Sequence, residues 1–126
     1  LARIREAGLD AAIDAVGNVR GVTAQASRAV VIGSHTDSVP KGGWLDGALG
    51  VLYGLEIARA RIEAGRAAGL GVDVVSFQDE ESRFVGCLGS RSLTGTLSPE
   101  VEQRAVDHRG VTLAQALRER RPIAAP

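Results

Sequence analysis

Residues 30–50 read VVIGSHTDSVPKGGWLDGALG, and the fold follows from how this stretch divides. Val30-Val31-Ile32-Gly33-Ser34 is a β-branched run closing in small residues. That is the pattern of a strand buried on both faces, although so short a run also fits a segment of buried helix. His35 and Asp37 follow at once, then a Pro/Gly loop, then Asp46, placed as the N-cap of a helix. From Gly47 the period lengthens. Val51, Leu55, Ala58 and Ile62 recur at i, i+4, i+7 and i+11, an amphipathic helix that Gly65 and Gly69 interrupt. Val72, Val74, Val75 and Phe77 form a second buried-strand run ending in Gln78-Asp79-Glu80-Glu81. Strand, helix, strand is a βαβ unit, so the two strands are expected to lie parallel with a right-handed crossover. Their polar ends then emerge on one edge of the sheet, where open α/β sheets place their chemistry.

Around this unit the signals are shorter. Residues 1–8 read as the last turns of a helix closing at Gly8. Residues 9–16 alternate, Gly17-Asn18 marks a turn, and residues 19–24 read as the returning strand. Residues 86–92 are rich in Gly and Ser and fit a short helix. Ser98 precedes a helix over residues 99–106, and Thr112 is placed as the N-cap of another beginning at Leu113. The tail RRPIAAP reads as frayed.

Composition narrows the function classes. The chain has 126 residues, enough for one domain with a core. Fifteen basic residues balance fifteen acidic ones, so no global field favours nucleic acid or an anionic membrane surface. Mean hydropathy is +0.04, and no apolar run approaches the roughly 20 residues of a membrane span. The start, LARIREAGLD, lacks a signal-peptide core and begins without Met, as if cut from a longer chain. One cysteine, Cys87, has no internal disulfide partner, which fits a reducing compartment, the cytoplasm.

The residue types at the shared sheet edge suit a metal ion. A neutral imidazole with carboxylates fits Zn²⁺, and also Mn²⁺ or Co²⁺. An aspartate can bridge two ions, and of two adjacent glutamates one can coordinate while the other moves a proton. Asp37, two residues beyond His35, is placed to accept from the second ring nitrogen. Singly, each residue has a plainer reading: His35 as a hydrogen-bonded strand end, Asp46 as a helix cap, 79–81 as a solvated acidic turn. Cys87 with His108 is a conceivable nucleophile–base pair, but nothing brings them together, and His108 reads as exposed. Ser34 lacks the Gly-x-Ser-x-Gly elbow, and Gly42-Gly43 lacks the Gly-Lys-Ser/Thr of a phosphate loop.

Two long motifs, GSHTDSVPKGGWLDGALGVLYGLE and VVSFQDEESRFVGCLGSRSLTG, resemble those of M20-type metal-dependent amidohydrolases. The similar branch contains the N-carbamoyl-L-amino acid hydrolases, β-ureidopropionases and allantoate amidohydrolases. The resemblance runs from about Gly8 to Leu117. It implies an α/β chain forming part of a three-layer α/β/α zinc-peptidase-like catalytic domain with a mixed, mostly parallel sheet. It also implies two divalent metal ions (zinc, with manganese, cobalt or nickel as alternatives) and a small carboxylated amide or ureido substrate. By the same resemblance His35 binds one ion, Asp46 bridges both, Glu81 binds the other, Glu80 is the general base and Asp37 orients His35. The Asp46–Gly47 peptide is expected to be cis. Trp44 departs from the family's usual basic residue, and the glycine common after the two glutamates is absent.

Family members are several times longer, take two further histidine ligands from downstream, and carry a lid and dimerisation domain that makes them homodimers. Residues 1–126 therefore read as an incomplete N-terminal portion of the catalytic domain, without that lid, binding metal weakly and turning over little. Part of its sheet is expected to have an unpaired edge or an uncovered apolar face. The alternatives are a non-catalytic remnant acting as an interaction domain, and the aminopeptidase or deacylase branch of the same family.

Overall fold

In a computed structural model, which describes residues 1–119, the chain forms a four-stranded mixed sheet with its helices packed around it. The elements run α1 (Ala2–Glu6), β1 (Asp10–Ile13), β2 (Val19–Val22), β3 (Ala29–His35), α2 (Ala48–Glu63), β4 (Gly71–Phe77), α3 (Leu88–Leu93), α4 (Pro99–Arg104) and α5 (Leu113–Glu119). The strands lie in the order β1-β2-β4-β3. β3 and β4 are parallel and in register from Ala29 opposite Gly71 to His35 opposite Phe77, as the strand–helix–strand pattern requires. The β1–β2 hairpin docks antiparallel on the other side of β4, so antiparallel pairing is as prominent in this sheet as parallel. The tail RRPIAAP lies outside the described residues.

The main core joins α1, α2 and one sheet face. Ile4, Ala7, Leu9, Val51, Leu55, Ala58, Val72 and Val74 are buried together, with Ile32 and Ile62 packed against them. The helix positions are those of the apolar stripe read from sequence. Fully burying side chains of this size stabilises by roughly 1.5–3 kcal/mol each. A second cluster, Leu88, Ala105 and Leu113 with Phe84, Val85, Leu97 and Leu117, gathers α3, α4 and α5. Ser98 caps α4, its Oγ accepting from the Val101 N–H at 3.3 Å, and the Thr112 hydroxyl accepts from the Gln115 N–H at 3.2 Å at the start of α5. No helix among the described residues is long and apolar enough to cross a membrane.

Three local expectations are corrected. β3 is not buried on both faces: Val30 and Val31 are 50% and 52% exposed. The reason is position, since β3 is the edge strand and the core covers it chiefly at Ile32, whereas central β4 buries Val72, Val74 and Val75. Asp46 does not cap α2. The N-cap is Gly47, at φ +69°, and no side chain caps the helix. The Asp46–Gly47 peptide is trans, the chain turning through a left-handed glycine instead.

Candidate metal centre

The parallel pairing of β3 and β4 ends with His35 opposite Phe77, and the chemistry begins one step beyond. His35 is buried, and its Nδ1–H donates to the Asp37 carbonyl at 3.0 Å. A carbonyl can only accept, so Nδ1 carries the proton of this bond, and a neutral ring bonded in this way presents its lone pair at Nε2. This is the tautomer that a ligating imidazole needs. Nε2 faces Glu80 Oε2 at 3.5 Å. A lone pair and a carboxylate oxygen aimed at each other leave a place for a cation. Donors around a tetrahedral ion with bonds of about 2.1 Å stand roughly 3.4 Å apart, close to that separation.

Glu81 completes the group. His35, Glu80 and Glu81 each offer a ligand atom within 4.8 Å of the others. Asp46 is exposed and outside this trio, although its neighbour Gly47 packs against the imidazole. A Cβ built on Gly47 would meet His35 Nδ1 at 2.5 Å, so only glycine admits the ring there. Asp37 acts differently from the expected pairing. Its backbone carbonyl holds His35, and its carboxylate Oδ1 stands 3.6 Å from Nδ1 without a hydrogen bond. Its Oδ2 instead accepts from the Glu81 N–H at 3.0 Å, tying the exit of β3 to the exit of β4.

The acidic turn read as solvated is in part buried. Asp79 is 2% exposed and in the left-handed region at φ +54°. Its Oδ1 accepts from the Arg83 N–H, and its Oδ2 from the N–H groups of Phe84 and Val85, both at 2.9 Å. It thus folds the segment carrying both glutamates. Asn18, read only as a turn residue, is fully buried. Its amide donates to Gly89 O at 3.0 Å and its Oδ1 accepts from the Gln78 N–H at 2.8 Å. A Cβ on Gly89 would collide with that Asn18 oxygen and with Gln78 N. The available signal for Asp79 and Asn18 was their tendency to bond nearby backbone in turns.

Asp107 anchors the other end of the segment. Arg83 donates to its Oδ2 through Nη2 at 3.0 Å and Nε at 3.2 Å, while the N–H groups of Arg109 and Val111 donate to its Oδ1. Burial pushes this carboxyl up, but the Val111 N–H, the Arg83 guanidinium and the Arg109 N–H outweigh it and hold it below the ordinary carboxylate value. A depressed folded-state value adds stability that is present above the unfolded value of about 3.9 and lost as pH falls through the folded one. Urea midpoints are therefore expected to fall on acidification below about pH 4, with Asp107→Asn flattening that part of the profile. An equally steep profile in the variant would contradict this.

Cys87 is exposed and stands against Glu80, its Sγ 3.5 Å from Oε1. That hydrogen bond first, then desolvation and the carboxylate charge, push the thiol above its usual value, so it stays protonated at neutral pH. His108 is exposed, as expected, and Cys87 has Glu80 as its partner.

The proteins similar to this chain are longer than it is. An N-carbamoyl-L-amino acid amidohydrolase of Geobacillus stearothermophilus is 43% identical over 92% of this chain, which spans 29% of that protein. A probable allantoate deiminase of Oryza sativa is 37% identical over 91% of the chain and 25% of its own length. The crystal structure of an amidase of the hydantoinase/carbamoylase family from Burkholderia phymatum superposes with a TM-score of 0.86 at 51% identity, covering 93% of this chain and 29% of that one. The chain thus spans less than a third of these relatives. Their names fall in the branch that the two long motifs indicated, although the profile that matches bears the label M28 rather than M20. That profile, Peptidase family M28, covers residues 16–107, well over half of the sequence, and the chain belongs to this family.

Proposed function

We propose that this chain supplies the His35–Glu80–Glu81 part of a divalent-metal site for hydrolysing a non-peptide C–N bond, on a carbamoyl or ureido group of a small carboxylated substrate. The observation carrying this reading is the convergence of those three side chains within 4.8 Å at the ends of two parallel strands. The relatives' names support the substrate class.

The donor set fits a metal ion: an imidazole whose Nε2 faces Glu80 Oε2, with a Glu81 carboxylate oxygen within 4.8 Å of a ligand atom of both residues. His35 and Glu81 would hold the metal, zinc first among the candidates. Asp46, next to the Gly47 that touches the imidazole, would bridge to a second ion once its side chain turned inward. When bound, divalent ions polarise a carbonyl and acidify water. Glu80 is the general base: it takes the proton of the attacking water and returns it to the departing nitrogen. Asp37 holds the Glu81 backbone, and with it the spacing between base and ligand.

The sequence has two histidines, and His108 is exposed. One site imidazole and a few carboxylates leave a pair of ions short of donors, so the isolated chain binds metal weakly and turns over little. Completion by further chain, including a lid that pairs two subunits, belongs to the same reading. So does a reducing, cytoplasmic setting, which the single exposed thiol supports.

The test is ammonia release from N-carbamoyl-L-amino acids and from allantoate by a protein of the relatives' length carrying this chain. Release that a chelator abolishes and Zn²⁺ or Mn²⁺ restores is expected. Hydrolysis of peptides or N-acyl amino acids, with ureido substrates untouched, would move the protein to the aminopeptidase or deacylase branch. No hydrolysis of either kind, with metal loaded, would favour a non-catalytic interaction domain.

A further inference from the structure

The two oxygens of Glu80 have different neighbours. Oε2 faces His35 Nε2 at 3.5 Å, and Oε1 accepts from the Cys87 thiol at the same distance. The backbone joins the same pair again, the Cys87 N–H donating to the Glu80 carbonyl at 3.1 Å. A glutamate at the end of a strand has three side-chain torsions to restrain, and a half-exposed one would ordinarily sample several rotamers.

Cys87 is not spent on the helix it precedes. It occupies the N-cap position of α3, yet its side chain makes no capping bond. It is an L-residue held in the left-handed region at φ +57°. Its neighbour Leu88 is fully buried and donates its N–H to the Asp79 carbonyl at 3.2 Å, so Cys87 cannot drift from Glu80 while that core is intact.

We infer that Cys87 is a positioning residue for Glu80, its S–H fixing one carboxylate oxygen so that the other points at the imidazole and the attacking water. This rests on the hydrolase reading above, in which Glu80 is the base. A thiol is a weak donor, so the contact acts on orientation more than on stability. An alcohol at the same position should serve equally well.

The experiment compares the chain with its Cys87→Ala and Cys87→Ser variants, reading the two Hγ resonances of Glu80 by NMR alongside the thermal midpoint. The shift separation between the two protons is expected to be kept in Cys87→Ser and to shrink at least about twofold in Cys87→Ala, as rotamers average. The midpoints should stay together. An unchanged separation in Cys87→Ala, or equal losses in both variants, would overturn the assignment. So would a loss that only follows a lowered midpoint. Zn²⁺ added last tests the underlying reading by a separate signal: no response at His35 and Glu81 sinks the hydrolase reading and with it the purpose of the positioning, whatever the Glu80 protons report.

Discussion

Asp79→Ala is expected to destabilise the fold by at least about 3 kcal/mol, a large share of the 5–15 kcal/mol that small domains possess. The carboxylate is 2% exposed and accepts from three successive backbone N–H groups, those of Arg83, Phe84 and Val85. Hydrogen bonds to a charged group contribute roughly 1.5–3 kcal/mol each, and donors left unpaired in a buried place cost about 1–3 kcal/mol each. These terms are not additive, but one of each taken at mid-range, roughly 2 kcal/mol apiece, exceeds the stated loss. The effect should spread, because Leu88 of the second cluster donates to the Asp79 carbonyl. Urea unfolding checks it, and Asp79→Asn, which retains one acceptor oxygen, should fall between wild type and alanine. A midpoint for Asp79→Ala equal to wild type would show that Asp79 does not hold this segment in place.

Glu80→Gln, made in a protein of the relatives' length, is expected to lower kcat by about 10²–10⁴-fold, the usual contribution of a positioned general base. The amide has the same shape and can still accept from Cys87 through its oxygen, so the loop should stay folded. What it cannot do is take a proton from water. KM should therefore change little while kcat falls, the signature of an interaction made only in the transition state. Glu81→Gln should behave differently, losing metal before it loses turnover at saturating metal. Steady-state kinetics with metal in excess separate the two. A Glu80→Gln rate within about tenfold of wild type would place the base elsewhere.

The strand–helix–strand unit was legible because its two periods differ so plainly. The helix stripe of Val51, Leu55, Ala58 and Ile62 packs with Val72 and Val74 of β4 in one core, and Val75 is buried on the other face of the strand, as a run buried on both faces requires. Parallel pairing then brought His35 near Glu80 and Glu81, with the Asp79 turn and the Asp37–Glu81 hydrogen bond setting the last residues. What composition could not convey was neighbourhood. Val30 and Val31 look like Val74 and Val75 in the sequence, and differ only because β3 is an edge and β4 is central. Asp79 and Glu80 look alike as acids. One is folded back on its own backbone while the other faces the imidazole, a division set by the left-handed turn at Asp79. Asp37 stands beside His35, but its main-chain carbonyl rather than its carboxylate makes the bond, while its Oδ2 accepts from the Glu81 N–H.

The most direct measurement is a Zn²⁺ titration of the 126-residue chain followed through its two imidazoles by NMR, with Glu81→Gln in parallel. A saturable shift at His35 Nε2, with His108 unmoved and the response weakened in Glu81→Gln, is the predicted result. A response at His108 alone, or one at His35 indifferent to the loss of the Glu81 carboxylate, would contradict a shared metal site at the ends of β3 and β4.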